Sequence, residues 1–399
     1  MTVYRVLIVE DHPLQHYHLA ALFDGVGGFE VDLAWDGAGA MQRLAGQAYD
    51  LLLTDLIMPH MDGVQLVQRL AQLPCPPALA LMTAASPRML AGAGQVAEHL
   101  GLTVAGLLGK PVGPREVLEL HNRLDAIAAK AHVVSQRRKG CRSAATLAAA
   151  VSSGEIQAWF QPKKSLRDGR IVGAEALARW LHPEEGLLLP GAFLEDLERA
   201  DLEVELLTSM LDQTLTAQAL WAKLGYTLPV SINLPTHLLD RTGLIEGLLE
   251  QVRARNGEPK LITFELTESS MTEFSSNYYA GACRLRMMGF GLAQDDFGRG
   301  YSSYFKLVST PFTELKIDRS LVLGCAEDEV LASAVLSILE LGRDLDLVTV
   351  AEGVETRAQV EVLRRMQCDQ VQGFIVSPAV PWEAMLALIS LEQPVPIVW

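Results

Sequence analysis

Seven apolar runs in the C-terminal half each carry a polar ligand-type side chain at or near their end. They read AEALAR (174–179), VSINL (230–234), TFELTE (263–268), LAQDDFG (292–298), LKID (315–318), VAEGVE (350–355) and VQGF (371–374). Each run has the composition of a buried strand, and Glu, Asp, Asn, Lys or Gln falls where the strand should stop. In a parallel β/α barrel the strand C-termini converge on one rim, which would crowd these side chains into a single site. Five carboxylates do not share such a site unless divalent metal neutralises them. The pattern therefore predicts a metal-dependent enzyme.

At 399 residues the chain has room for two or more domains with real cores. A net charge of −15 argues against binding DNA or other bulk nucleic acid, so an anionic substrate would need metal or local Arg and Lys to offset the field. The five cysteines, Cys75, Cys141, Cys283, Cys325 and Cys368, form no CxxC pair, which fits a reducing cytoplasm rather than a zinc site or disulfide framework. The opening MTVYRVLIVEDHP reads as a strand followed by acids, not as a leader, and no run approaches a membrane span.

Residues 3–121 alternate short apolar runs with amphipathic stretches. VYRVLIV (3–9), DLLLTD (50–55), PALALMT (77–83) and VAGLLGK (104–110) read as parallel strands, and 14–23 and 37–45 as helices, giving a doubly wound, flavodoxin-like α/β domain. The expected organisation is a first domain at 1–123, a helical linker at 124–150 and a (β/α)8 barrel at 151–399, where roughly eight strand-like runs alternate with helices. The basic stretch SQRRKGCRS (135–143) reads as a solvated hinge with a break at Gly140.

In the first domain Glu10 and Asp11 follow one strand, Asp55 and Thr83 end two others, and Lys110 ends a fourth. In an open α/β sheet all of these reach the carboxyl edge, where such folds bind ligands. Three carboxylates there would hold Mg²⁺, with Asp55 able to accept a phosphoryl group and Thr83 and Lys110 able to pair with its oxygens. His12, His16 and His18 lie on one helix and are expected at the surface. The segments EDHP (10–13), DLIMPHMDG (55–63) and GKP (109–111) resemble response-regulator receiver domains. That resemblance implies phosphorylation of Asp55 by a sensor histidine kinase, with Mg²⁺ held at Glu10, Asp11 and Asp55. Leu107 stands where the family carries its signalling aromatic.

In the barrel, Glu175, Asn233, Glu265 and Asp295 supply oxygen ligands from separate strands, which suits Mg²⁺ or Mn²⁺. The adjacent Asp295 and Asp296 would let one carboxylate bridge two metals, an arrangement suited to in-line attack on a phosphodiester. Lys316 is placed to orient the attacking water. Glu352 either accepts its proton or ligates the second metal, and Arg179 offers a fork for phosphate oxygens.

The motifs FQP (160–162), EALAR (175–179), ELTES (265–269), DDFGRGYSS (295–303), LKIDRS (315–320), AEGVET (351–356) and QGF (372–374) then resemble the EAL-domain phosphodiesterases, in order, over about 155–390. The resemblance implies a TIM-like barrel with an irregular early strand that hydrolyses cyclic di-GMP to linear pGpG with two Mg²⁺ or Mn²⁺ ions. It makes Glu175, Asn233, Glu265, Asp295 and Asp296 metal ligands and ties Lys316 and Glu352 to the catalytic water. It makes Gln161, Leu177, Arg179, Glu355 and Gln372 substrate contacts, and Glu268 the anchor of the DDFG loop. A dimer or tetramer whose activity is set by the receiver is implied as well. Arg299 in the DDFG loop and Pro235 after Asn233-Leu234 depart from the family pattern. A catalytically silent cyclic di-GMP receptor is the competing reading, and it would be favoured by loss of metal ligands; none is lost.

Overall fold

The computed structural model describes residues 3–137, 142–266, 275–298 and 304–392. They fall into two compact units, Met1–Gly140 and Cys141–Trp399.

The first unit is a parallel sheet of five strands: β1 (Tyr4–Val9), β2 (Phe29–Ala34), β3 (Leu51–Asp55), β4 (Ala78–Thr83) and β5 (Val104–Gly109). Their order is β2-β1-β3-β4-β5. Helices α1 (Pro13–Val26), α2 (Gly37–Gly46), α3 (Gly63–Leu70), α4 (Pro87–His99) and α5 (Pro114–Arg137) connect and flank the strands. Core clusters lie on both faces of the sheet, as a doubly wound fold requires. Four strands coincide with the apolar runs read from the sequence. The fifth, β2, was not expected: FEVDLA alternates acidic and apolar residues, because this edge strand pairs with β1 alone and is mostly half-buried. His16 corrects the expectation of three surface histidines. It is buried on α1 with Leu19 and Phe23 and meets the Trp35 ring edge-on at 3.8 Å.

Residues 124–137 continue α5, and α6 (Ala144–Ser153) follows, capped by the Ser143 hydroxyl, which accepts from Thr146 N at 3.1 Å. The expected break at Gly140 lies outside the described residues. Arg142, read from the sequence as part of a solvated hinge, is instead engaged within the second unit. It sits 5.0 Å from the Trp180 ring and 2.7 Å from Glu185.

The second unit closes into an eight-stranded barrel, with β6 (Ile156–Ser165), β7 (Ile171–His182), β9 (Val230–Leu234), β10 (Ile262–Leu266), β11 (Gly291–Phe297), β12 (Glu314–Ile317), β13 (Val348–Ala351) and β14 (Gln370–Gln372). A short strand, β8 (Gly186–Leu188), folds back on β7 outside the ring. Six neighbouring pairs are parallel, but β6 runs antiparallel to both β7 and β14, which makes it the irregular early strand.

Alternation divides each strand between two environments. Ala174, Ala176, Val230, Ile232, Phe264, Leu266, Leu315 and Ile317 join the apolar shell with the helices. The intervening Glu175, Ser231, Asn233, Thr263, Glu265, Glu314 and Lys316 face the other way, toward the axis. The barrel interior is thus polar and charged where most β/α barrels are filled by branched apolar side chains. Among the described residues no helix is long and apolar enough to cross a membrane.

The fold predicts cysteine reactivity. Cys75 and Cys283 are exposed, whereas Cys325 and Cys368 are buried, and burial pushes the Cys368 thiol up to about 12. In the native chain at pH 8, peptide mapping after iodoacetamide should find Cys75 and Cys283 alkylated and Cys325 and Cys368 protected until denaturant is added.

Candidate active site

Lys316 is the centre of the barrel site. It sits on β12 almost fully buried, with its ammonium 2.5 Å from Glu265 Oε2, 2.7 Å from Glu352 Oε1, 2.9 Å from Asp295 Oδ1 and 3.3 Å from Glu175 Oε2. Four strands and the turn after β13 therefore deliver charge to one point. Glu175 is tied further: Asn233 Nδ2 donates to its Oε1 at 3.0 Å and Gln372 Nε2 to its Oε2 at 2.6 Å. Gln372 also donates to Gln161 Oε1 at 3.0 Å. One expectation about placement changes. Glu175 is not at a strand end, since β7 continues to His182 to form its hairpin with β8.

The two adjacent aspartates depend on a local irregularity. In a regular strand Asp295 and Asp296 would point to opposite faces. The pairing of β11 with β12 shifts register between Gln294 and Phe297, and Asp296 takes a left-handed φ of 52°. This bulge re-aims the second carboxylate. Oxygens of Asp295, Asp296 and Glu352 consequently lie within 4.8 Å of one another.

A second buried cation lies beneath, one that the motif reading passed over. Lys163 donates to Ser231 Oγ at 2.7 Å, Glu265 Oε1 at 3.1 Å and Glu314 Oε1 at 2.5 Å. The available signal was its position two residues after Gln161, which puts both on the same face of β6.

The electrostatics follow from burial against these partners. Burial pushes Glu265 up, but Lys316 and Lys163 outweigh it and hold the carboxyl at about 2. Burial lifts Glu352 to about 8, with Lys316 opposing and Asp295, Glu175 and Glu265 reinforcing. Glu175 is raised by burial and by Glu265. Burial alone would lower Lys316, yet its carboxylate neighbours drive it well above the ordinary lysine value.

Six carboxylates (Glu175, Glu265, Asp295, Asp296, Glu314, Glu352) face two ammoniums, so full ionisation leaves four negative charges, the charge of two divalent cations. Among the described residues Gln372 Oε1 is a buried acceptor with no hydrogen-bond partner, and Asp295 Oδ1 has only the Lys316 ammonium, at 2.9 Å. A buried acceptor left unpaired costs about 1–3 kcal/mol. This donor set, all oxygen with charge in excess, fits hard divalent metal.

A cavity of about 290 Å³ opens above these groups, lined by Gln161, Glu175, Leu177, Asp295, Lys316, Glu352, Glu355, Gln372 and the exposed Phe374. Glu355 accepts from Arg319 Nη2 at 2.6 Å across its mouth. Arg179 does not line this cavity; its guanidinium folds back to donate to Ala178 O at 2.8 Å. Asn233 lines a larger neighbouring cavity of about 710 Å³, which Leu177 shares. Glu268 and Arg299 lie outside the described residues.

In the first unit, oxygens of Glu10, Asp11 and Asp55 lie within 4.8 Å of one another at the carboxyl edge of the sheet. Lys110 Nζ meets Glu10 Oε2 at 2.6 Å and also contacts Asp55. Thr83 is buried at the end of β4, its hydroxyl accepting from Ala85 N at 3.1 Å. Leu107 is partly exposed on β5 and packs over Gly94 of α4.

The shifted carboxyls predict how the metal-free barrel responds to pH. Glu352, raised to about 8, binds a proton in the fold that the unfolded chain releases near 4.5, so stability falls as pH rises between those values. The depressed Glu265 has its full effect above the unfolded carboxylate value and stays constant in that window. In chelator, the barrel's stability should fall by about 2–5 kcal/mol from pH 5 to 8. Excess Mg²⁺ or Mn²⁺ should remove that slope; thermal unfolding followed by circular dichroism measures both.

Comparison with known proteins agrees with this geometry. Residues 144–379 match the EAL domain model, and residues 6–122 match the response regulator receiver domain model. The chain is 30% identical to the cyclic di-GMP phosphodiesterase RocR of Pseudomonas aeruginosa over 97% of its own length and 98% of that protein. It is 37% identical to MucR of the same organism, a bifunctional diguanylate cyclase/cyclic di-GMP phosphodiesterase, over 58% of this chain and 34% of that one. The solved PaMucR phosphodiesterase in complex with c-di-GMP superposes with a TM-score of 0.57 at 36% identity, covering 60% of this chain and 97% of that one. The chain therefore belongs to the EAL-domain family, as a phosphodiesterase-class enzyme carrying a response-regulator receiver domain.

Proposed function

We propose that the chain is a two-component response regulator that hydrolyses cyclic di-GMP to linear pGpG, at a rate set by phosphorylation of Asp55. The observation that carries this reading is the Lys316-centred carboxylate cluster at the floor of the 290 Å³ cavity. Glu175, Asn233, Glu265 and Asp295 would hold one Mg²⁺ or Mn²⁺ ion, and Asp295, Asp296 and Glu352 the other. Such a pair supplies Lewis acidity to the phosphate and lowers the pKa of bound water.

The chain's own residues then have defined tasks. Lys316 fixes the carboxylates and presents an N–H to the attacking water. Asn233 and Gln372 hold Glu175 in one orientation through its two oxygens. Gln161, Leu177, Glu355 and Gln372 line the space for the dinucleotide, and the exposed Phe374 ring offers a base a stacking surface. Arg179 would have to leave the Ala178 carbonyl to reach a phosphate. Attack forms a new P–O bond from water as the P–O3′ ester breaks; the water's proton leaves to a base, and the departing 3′ oxygen is protonated. That gives a linear product with a 5′ phosphate.

Glu10, Asp11 and Asp55 would hold Mg²⁺ in the receiver, with Asp55 accepting a phosphoryl group from a sensor histidine kinase and Lys110 and Thr83 pairing with its oxygens. The proposed organisation is a receiver domain at 1–123, a linker at 124–150 and a phosphodiesterase domain at 151–399. A cytoplasmic homo-oligomer, dimer or tetramer, completes the proposal. The helix Tyr304–Ser309 supports self-association because it exposes Tyr304, Phe305 and Val308.

The test is hydrolysis of cyclic di-GMP by the purified chain with Mg²⁺ or Mn²⁺, resolved by chromatography. The chain should yield pGpG, and Glu175→Ala should lower the rate by on the order of 10²-fold or more. Acetyl phosphate should change the rate of the unaltered chain and leave that of Asp55→Asn unchanged. Binding without turnover in either phosphorylation state would overturn the enzymatic reading in favour of a receptor.

A further inference from the structure

Among the described residues, the lower half of the barrel axis holds a buried cation that the mechanism above does not use. Lys163 enters on β6, the strand that runs against the others, and is 2% exposed. Its ammonium is shared among Ser231 on β9, Glu265 on β10 and Glu314 on β12. Glu265 is wholly buried, and its two oxygens are taken by different lysines. Lys163 holds Oε1 from below at 3.1 Å, and Lys316 meets Oε2 from the site side at 2.5 Å.

A carboxylate has one soft torsion in its last bond. Two cations on separate oxygens fix the plane that this torsion would otherwise sample. We infer that Lys163 is a positioning residue of the metal site: anchored by Ser231 and Glu314, it fixes the carboxylate plane of Glu265 so that one edge is offered to divalent metal. The inference rests on the assignment of Glu265 as a metal-holding residue. Groups that orient metal ligands in this way change affinity by about 10–100-fold when removed.

The bland alternative is that Lys163 and Glu314 merely brace the barrel as a buried ion pair. Replacing such a pair by neutral groups of similar size is often harmless to stability, whereas removing one partner is not. Lys163→Met combined with Glu314→Gln separates the two roles, because it deletes one positive and one negative charge together. The net charge around the metal stays the same and only the grip on Glu265 is lost.

The experiment is Mn²⁺ binding to the full chain, read from the electron paramagnetic resonance of free Mn²⁺. Every variant carries Asp11→Asn so that the receiver cluster does not contribute. Lys163→Met/Glu314→Gln should bind Mn²⁺ about 10–100-fold more weakly. Glu314→Gln alone, which removes one anchor but leaves Lys163 on Glu265, should weaken binding a few-fold and less than the double variant. Ser231→Ala, too mild to unfold the barrel, should weaken binding a few-fold and keeps the inference testable if the double variant does not fold. Unchanged affinity in both Lys163→Met/Glu314→Gln and Ser231→Ala would overturn the inference and leave Lys163 a brace. A parent that binds no Mn²⁺ would instead remove the metal assignment, and this inference with it.

Discussion

Charge on the axis of a protein barrel is the constraint from which the rest of this structure follows. Burying a carboxylate is expensive unless it is paired, and here six of them are drawn toward one line. Two lysines meet that demand only in part. The remainder appears as raised carboxyls at Glu175 and Glu352 and, among the described residues, as an unpartnered acceptor on Gln372. A fold that carries such stress needs a rigid frame. The apolar shell between strands and helices supplies it, with Phe264, Trp180 and Phe160 of the strands and Trp221 of a packing helix fully buried there.

In the proposed function, bound metal would relieve that stress. A divalent pair held there would replace protons on the raised carboxyls, and the bulge at Asp295–Asp296 brings both carboxylates within reach of Glu352. Lys316 lowers the repulsion that would splay the carboxylates, and in the proposed reaction it would keep an N–H donor at the reacting centre. The antiparallel β6 brings two groups to the axis that a strictly parallel strand would supply differently, Gln161 near the mouth and Lys163 near the floor. The first unit repeats the theme on a smaller scale, with three carboxylates and one lysine at a sheet edge.

Much of this was legible in the sequence, because strand-end carboxylates are unusual enough to announce a shared site. The motifs located Glu175, Asn233, Glu265, Asp295, Lys316, Glu352 and Gln372, and the structure gathers all seven around the barrel axis. What escaped the reading has physical causes. β2 was missed because an edge strand alternates like a surface segment. Lys163 was missed because a lysine beside another lysine reads as solvated until register sends one inward and the other outward. His16 was misplaced because helix spacing locates a face without saying which face is buried. Arg179 was assigned to phosphate from its spacing, while its guanidinium lies against its own backbone. The bulge at Asp296 is only weakly signalled by residue type: aspartate tolerates left-handed φ, as Asp201 and Asp346 also do at turns, but nothing in the run LAQDDFG says which position takes it.

The most direct test of the central claim is anomalous diffraction from crystals of the chain soaked in Mn²⁺. Two peaks in the barrel about 3.5–4 Å apart are predicted, one against Glu175, Asn233 and Glu265 and the other against Asp296 and Glu352, with Asp295 between them. A single peak, or none beside fully ordered carboxylates, would contradict the account, because the excess charge would then be met by protons rather than by metal.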